Sequence, residues 1–212
     1  MDRLEAATIR VNEIMNTLFE AGFNINEPMN IDYLELPWNF MYDSGASRLV
    51  IWDMGYLDYV VKLPIRPEYE RYCIHEVELY HKAVEAGVEA QFGWCEKIGD
   101  YDGVSVYAME YLDCDYDGIS DASYTWGYEK YCSEQKLDSF LESSRKQYNS
   151  HYWDTYGDSS LLLDWFEDHL IKPVAAAFDR FINECGINDI HPGNIGYRDT
   201  EIVLCDYAGW DW

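Results

Sequence analysis

Positive charge is scarce in this sequence: 15 Lys and Arg stand against 40 Asp and Glu in 212 residues, a formal net charge of -25. Such an acidic surface repels nucleic-acid phosphates and anionic membranes over the Debye length, about 8 Å in physiological salt, so direct DNA or RNA binding is disfavoured. The same imbalance suits a partner with a basic surface, and it serves solubility alone equally well. Paired cysteines are missing too. Cys73, Cys95, Cys114, Cys132, Cys185 and Cys205 stand singly, with no CxxC and no secretory leader before them, so they read as reduced thiols of a cytoplasmic protein. The five His residues do not add the short Cys/His spacings of a zinc site. No apolar run approaches the roughly 20 residues that span a bilayer, and the sequence predicts a soluble protein.

What is present is core material. Apolar residues make up 48% of the chain and aromatics 17%, including 8 Trp and 19 Tyr, enough for a folded protein despite the charge. A chain of this length holds one domain, or two small lobes sharing a cleft.

Residues 4 to 22 carry Leu4, Ala7, Val11, Ile14, Met15 and Leu18 at helical spacing, closed by Gly22. From about Phe40 the period changes. Arg48 to Met54 and Tyr59 to Ile65 read as two strands about a turn at Gly55. Residues 67 to 86 return to a helical pattern, with Pro67 near the start and Gly87 as the stop. Phe92 to Ile98 and Val104 to Leu112 are strand-like and joined by Asp100-Tyr101-Asp102-Gly103, whose Asp-Gly is a hairpin signal. Residues 113 to 158 read as an acidic connection with one or two short helices. Residues 160 to 184 place Leu161, Leu162, Trp165, Leu170, Val174, Phe178 and Phe181 on a helical face that Pro173 should kink or divide. A loop through Asn194, a turn at Arg198-Asp199 and a strand from Ile202 to Cys205 follow.

The segment Asn188-Asp189-Ile190-His191-Pro192-Gly193-Asn194 resembles the catalytic loop of the protein-kinase superfamily, in which an Asp precedes an Asn by five positions. Its His-Pro-Gly-Asn wording is similar to the aminoglycoside phosphotransferase branch and to kinase-like proteins of bacteria and their phages. Asp206-Tyr207-Ala208-Gly209 resembles the Asp-Phe-Gly element that holds magnesium, with Ala208 where the family has glycine. Tyr59-Val60-Val61-Lys62-Leu63 resembles the strand that places a lysine over the nucleotide phosphates. His75-Glu76-Val77-Glu78-Leu79 resembles the helix whose glutamate pairs with that lysine, through Glu76 or, alternatively, Glu78. Asp43 to Val50 occupies the slot of the glycine-rich loop with one glycine, Gly45, where the family usually has three. Glu110-Tyr111-Leu112 sits where the family's hinge meets adenine, normally through backbone groups.

The resemblance implies an α+β, protein-kinase-like two-lobed fold: residues 1 to 112 as an N-terminal helix plus an antiparallel N-lobe sheet with one helix, and residues 113 to 212 as a reduced helical C-lobe. It implies a phosphotransferase using ATP and Mg2+. Lys62 would neutralise phosphate and be held by Glu76; Gly45, Ser47, Glu110 and Leu112 would line the nucleotide. Asn194 and Asp206 would ligate the metal, Asp189 would orient the acceptor hydroxyl, and His191 would touch the transferred phosphate. Because the chain runs three residues past Gly209, the resemblance is to a truncated member, without activation segment or peptide-docking helices. Ile187-Asn188 replaces the usual His-Arg, so regulation by loop phosphorylation is not expected. Each motif has a plainer reading: Lys62 with Glu76 as a surface ion pair worth at most about 1 kcal/mol, Asp206 as a strand-end cap, His191-Pro192-Gly193 as a turn. The alternative function is a weak or inactive pseudokinase whose acidic surface binds a basic host or regulatory protein.

Overall fold

The computed structural model describes residues 1–114 and 160–208, together with Gly118, Ile119, Asp121, Ala122, Thr125, Trp126 and Glu129. The short helices expected between 113 and 158, and Gly209, lie largely or wholly outside the described residues. The chain is a mixed α+β protein that divides into two compact units, Met1–His81 with Gly93–Tyr111, and Lys82–Phe92 with Leu112–Trp212. The stretch Lys82–Phe92, expected in the first lobe, thus clusters with the second. No described helix is long and apolar enough to cross a membrane.

The first unit opens with helix α1 (Arg3–Glu20), whose N-cap Asp2 accepts the Glu5 amide at 2.8 Å. Ala7, Val11, Ile14, Met15 and Leu18 form its buried stripe, the helical period that the sequence displays. Gly22 ends it with φ +91°, a left-handed turn open to glycine at little cost. Five antiparallel strands follow: β1 (Phe40–Ser44), β2 (Arg48–Asp53), β3 (Tyr56–Pro64), β4 (Cys95–Tyr101) and β5 (Val104–Glu110), in the order β1-β2-β3-β5-β4. The expected strand at Phe92 begins only at Cys95, and β1 is an additional strand whose end, with the start of β2, takes up part of the Asp43–Val50 slot of the expected glycine-rich loop. The turn at Asp102 and Gly103 has φ +49° and +84°, the two-residue hairpin geometry that Asp-Gly favours.

Alternation gives the sheet two different faces. Leu49 and Ile51 of β2, Val61 and Leu63 of β3, and Val106 and Ala108 of β5 pack with the α1 stripe in one apolar core. The residues between them, Arg48, Lys62, Tyr107 and Met109, are buried as well and belong to the opposite face, which helix α2 (Glu70–Ala86) covers. The division between the units falls within α2.

The β2–β3 turn is tied to α1 by Asp53. Its Oδ1 accepts the Gly55 amide at 2.8 Å and Asn39 Nδ2 at 2.6 Å, and Oδ2 pairs with Arg10 at 2.5 Å. Arg10 also lies over the Tyr56 ring, 4.3 Å from its centroid.

In the second unit, α3 (Ser160–Asp168) and α4 (Lys172–Cys185) are separate helices. Pro173 sits in the first turn of α4, where a missing N–H costs nothing, so the proline divides the segment. A hairpin of β6 (Ile195–Arg198) and β7 (Glu201–Leu204) follows; β6 was not expected, because its Gly196-Tyr197-Arg198 lacks an apolar run. Phe166, Phe178, Phe181, Phe92 and Tyr207 form an aromatic cluster in which Phe166 stacks on Phe178 at 4.8 Å and Phe92 meets Tyr207 edge-on at 5.1 Å. Each buried aromatic contributes about 1.5–3 kcal/mol from apolar burial, which anchors the chain just after β7.

Asp53→Ala is expected to cost about 2–3 kcal/mol in urea unfolding at neutral pH, because it frees the Gly55 amide and Asn39 and leaves Arg10 with only the exposed Glu13 as an ion-pair partner. Burial opposes the Asp53 charge, but the Gly55 amide, Asn39 and Arg10 outweigh it and hold its pKa below the ordinary 3.8. A depressed folded pKa gives stability that is present above the unfolded value and lost as pH falls through the folded one. The stability advantage of wild type over Asp53→Asn therefore shrinks on acidification below about pH 4; an advantage unchanged in acid contradicts the assignment.

Candidate functional site

The central strand β3 carries Lys62 between Val61 and Leu63, pointing away from the α1 core by strand alternation. On α2, Tyr72, Cys73, Leu79 and Ala83 form the buried stripe, and Glu76 falls on it with no exposed surface. The two charges meet there: Lys62 Nζ donates to Glu76 Oε1 at 2.9 Å and to Oε2 at 2.7 Å. Glu78 points to solvent and lies 4.0 Å from His75 instead, so Glu76 is the partner in space. The plainer reading of a surface pair fails on burial, since the Lys62 and Glu76 side chains are 3% and 0% exposed.

A second cation joins them. Arg48, at the start of β2 and almost as buried, places Nη1 3.6 Å from Glu76 Oε2. The sequence reading missed it, although the alternation of Arg48 with Leu49 and Ile51 already put it on the Lys62 face. Met109 Sδ lies 3.6 Å from Lys62 Nζ, and the Cys95 thiol 3.9 Å from Glu76; burial, and next the Glu76 charge, push the Cys95 pKa well up. Desolvating each ion costs several kcal/mol, and apolar side chains of equal volume would serve a core as well or better. Stability alone therefore does not account for the cluster.

Gly45 and Ser47 lie in the short β1–β2 turn, narrower than the expected loop. The Gly45 amide donates to Arg48 O at 3.0 Å, and a Cβ on Gly45 would meet nothing nearer than 3.8 Å, so the turn itself does not demand glycine. Ser47 is buried and its carbonyl accepts the Ile65 amide at 3.0 Å. Glu110 is occupied within the first unit: its carboxylate accepts the Trp94 amide at 3.0 Å and pairs with Arg3 of α1 at 2.9 Å, and Arg3 lies over the Trp94 ring.

In the second unit a 3-10 turn, Pro192–Asn194, leads into β6. Asn194 is buried; its Nδ2 donates to Asp189 O at 2.8 Å and its amide to His191 O at 2.8 Å. The five-residue spacing thus closes a loop held by the Asn194 side chain. His191 Nδ1 accepts the Gly193 amide at 3.1 Å, which leaves the ring proton on Nε2, 3.7 Å from Asp189 Oδ1. Hairpin register pairs Ile195 with Leu204, and the Cys205 amide donates to Asn194 O at 2.9 Å. Asn194 and Asp206 therefore flank the same end of the β6–β7 hairpin. Leu112 is buried against β6, where Asp113 and Tyr197 exchange backbone bonds of 3.3 and 3.0 Å.

Asn194 donates its Nδ2 to Asp189 O, so its Oδ1 and the half-buried Asp206 carboxylate are the oxygens at these positions that could hold a metal. That donor set fits Mg2+, which takes one or two protein oxygens and completes its shell with water and phosphate. Among the described residues no three His, Cys, Asp or Glu side chains cluster as an all-protein metal cage.

No protein-family model and no curated protein matches this sequence. Among solved structures, the chain is similar to the ADP-bound aminoglycoside phosphotransferase APH(2'')-Ib, with 17% identity and a TM-score of 0.40 over 87% of this chain and 69% of that one. It is also similar to APH(2")-IIa in a ternary complex with streptomycin and ATP, with 16% identity and a TM-score of 0.38 over 80% of this chain and 65% of that one.

Removing one ion from the buried cluster should be far costlier than removing the set. Glu76→Ala is expected to lose about 3–5 kcal/mol in urea unfolding, with the Arg48→Met/Lys62→Met/Glu76→Leu triple variant, which removes all three ions, recovering at least half of that. Exposed Glu78→Ala should change stability by less than about 0.5 kcal/mol. Equal effects at 76 and 78 contradict the buried pairing.

Proposed function

We propose that this protein is a kinase-like phosphotransferase that uses ATP and Mg2+ to modify a hydroxyl group of a protein or small molecule. The observation that carries the reading is the buried, bidentate Lys62–Glu76 pair, a costly arrangement in a core and a suitable one for presenting a fixed ammonium to phosphate. Lys62 neutralises phosphate oxygens while Glu76, supported by Arg48, sets its position. Gly45 and Ser47 border the phosphates, and a glycine at 45 leaves room for the close approach of a ligand.

Asn194 and Asp206 hold the metal, which when bound neutralises charge on the transferred phosphoryl group. Asp189 accepts or orients the acceptor proton, fixed by the Asn194 bond to its own carbonyl, and His191 Nε2–H is the donor for a phosphate oxygen. The amides of Glu110 and Tyr111 are bonded to Trp94 O and Asp58 O, so a main-chain N–H for adenine falls to Leu112, while Glu110 would contribute through its carbonyl.

A second reading is a binding protein with a degenerate site. Its motivation is β1, an edge strand of the sheet, where Met41 and Tyr42 are exposed near in sequence to Tyr33 and Trp38, which are 88% and 92% exposed. Asp32 and Asp43 bring acid to the same stretch, and a hydrogen bond to Asp32 raises the Tyr42 pKa. Exposed aromatics with carboxylates suit an Arg- or Lys-rich partner.

With water as the only acceptor, wild type should release ADP from ATP in the presence of Mg2+, and Asp189→Ala should slow release about 100-fold or more while circular dichroism and melting stay unchanged. A variant as fast as wild type removes Asp189 from the mechanism. No turnover in wild type, with capture of a basic peptide that weakens steeply with salt and survives Asp206→Ala, selects the second reading.

A further inference from the structure

Two cysteines that stand 91 residues apart in sequence meet in the second unit: Cys114 Sγ and Cys205 Sγ are 3.4 Å apart. The contact follows from backbone positions that are held on both sides. Cys114 follows Asp113, which is bonded in both directions to Tyr197 of β6, and the Cys205 amide is bonded to Asn194 O. Gly196 makes the approach possible. A Cβ there would lie 2.7 Å from Leu112 Cβ and 3.0 Å from Cys114 Sγ, so any larger residue would push the 112–114 segment away.

We propose that Cys114 and Cys205 are a redox modification site that closes to an intramolecular disulfide on exposure to hydrogen peroxide. The sulfurs must approach by about 1.4 Å to reach the bond length of about 2.0 Å. Cys114 is exposed and Cys205 partly buried, so the peroxide meets Cys114 first. The Cys114 thiolate attacks one peroxide oxygen, the O–O bond breaks, and hydroxide leaves to become water. The resulting Cys114 sulfenic acid is then attacked at sulfur by the Cys205 thiolate; the S–O bond breaks and a second water leaves. In sum, two thiols and one peroxide give one disulfide and two waters, with two electrons passing from sulfur to the peroxide. The other described cysteines are poorer candidates: Cys73 and Cys95 are buried, and burial raises the thiol pKa of both Cys95 and Cys185.

The bond would tether the segment after Leu112 to the residue just before Asp206. Any effect of oxidation on nucleotide binding rests on the phosphotransferase reading; the disulfide itself does not. The test uses the full chain treated with hydrogen peroxide, alkylated, digested without reductant and mapped by mass spectrometry, with a parallel melting curve.

The expected result is a linked peptide pair joining Cys114 to Cys205, two hydrogens lighter than the separate peptides. It should vanish on treatment with dithiothreitol, be missing from Cys114→Ser and Cys205→Ser, and accompany a melting temperature raised by several degrees in wild type alone. Sulfinic acid at Cys114 with no linked pair, or linkage of either residue to Cys132 or Cys185 in its place, overturns the proposal. A linked 114–205 pair in a protein that binds no ATP in either redox state supports the thiol pair and counts only against the phosphotransferase reading.

Discussion

The first unit is organised around one interaction, the bidentate bond between Lys62 and Glu76 in the layer between sheet and α2. The second half of β3, from Val60 to Pro64, is buried on both faces, so a cation on it must find an anion within the core or expel its proton. The register that pairs Lys62 with Val50 on one side and Tyr107 on the other fixes where that cation stands. A one-residue slip would send Lys62 into the α1 core and Val61 against Glu76. Thus the ion pair constrains the strand register, the rotation of α2, and the burial of Arg48 beside Glu76. Charge placed so rigidly in a core is poor material for stability and good material for electrostatic preorganisation.

The second unit solves a different problem, bringing oxygen donors from separate stretches of chain to one end of a hairpin. Short strands β6 and β7 do this with four paired positions, and the aromatic cluster under Tyr207 holds the exit. Asn194 acts twice, as the lock of the 189–194 loop through its side chain and as the acceptor for Cys205 through its carbonyl. Gly196 is the small residue that lets the 112–114 segment lie on β6, which also sets the distance between Cys114 and Cys205.

Much of this was legible in the sequence where a period or a local rule decides structure. The α1 stripe, the Asp102-Gly103 hairpin and the break at Pro173 follow from helical spacing, turn chemistry and missing amide protons. Choosing Glu76 over Glu78 was also within reach, because Glu76 shares the stripe of Tyr72, Leu79 and Ala83 whereas Glu78 does not. What escaped depends on register and on contacts between distant residues. Arg48 joins Glu76 only once β2 pairs with β3, Arg3 reaches Glu110 only once α1 lies on the sheet, and β6 exists only as the partner of β7. No local pattern announces that Cys114 will meet Cys205.

The proposed binding of ATP with Mg2+ is tested most directly by calorimetric titration of ATP with and without the metal. Wild type should bind ATP at least about tenfold more tightly with Mg2+ than without, a difference of 1.4 kcal/mol, and Asp206→Ala should abolish that difference while leaving the fold intact. Absence of ATP binding, or binding indifferent to both Mg2+ and Asp206→Ala, would contradict the account.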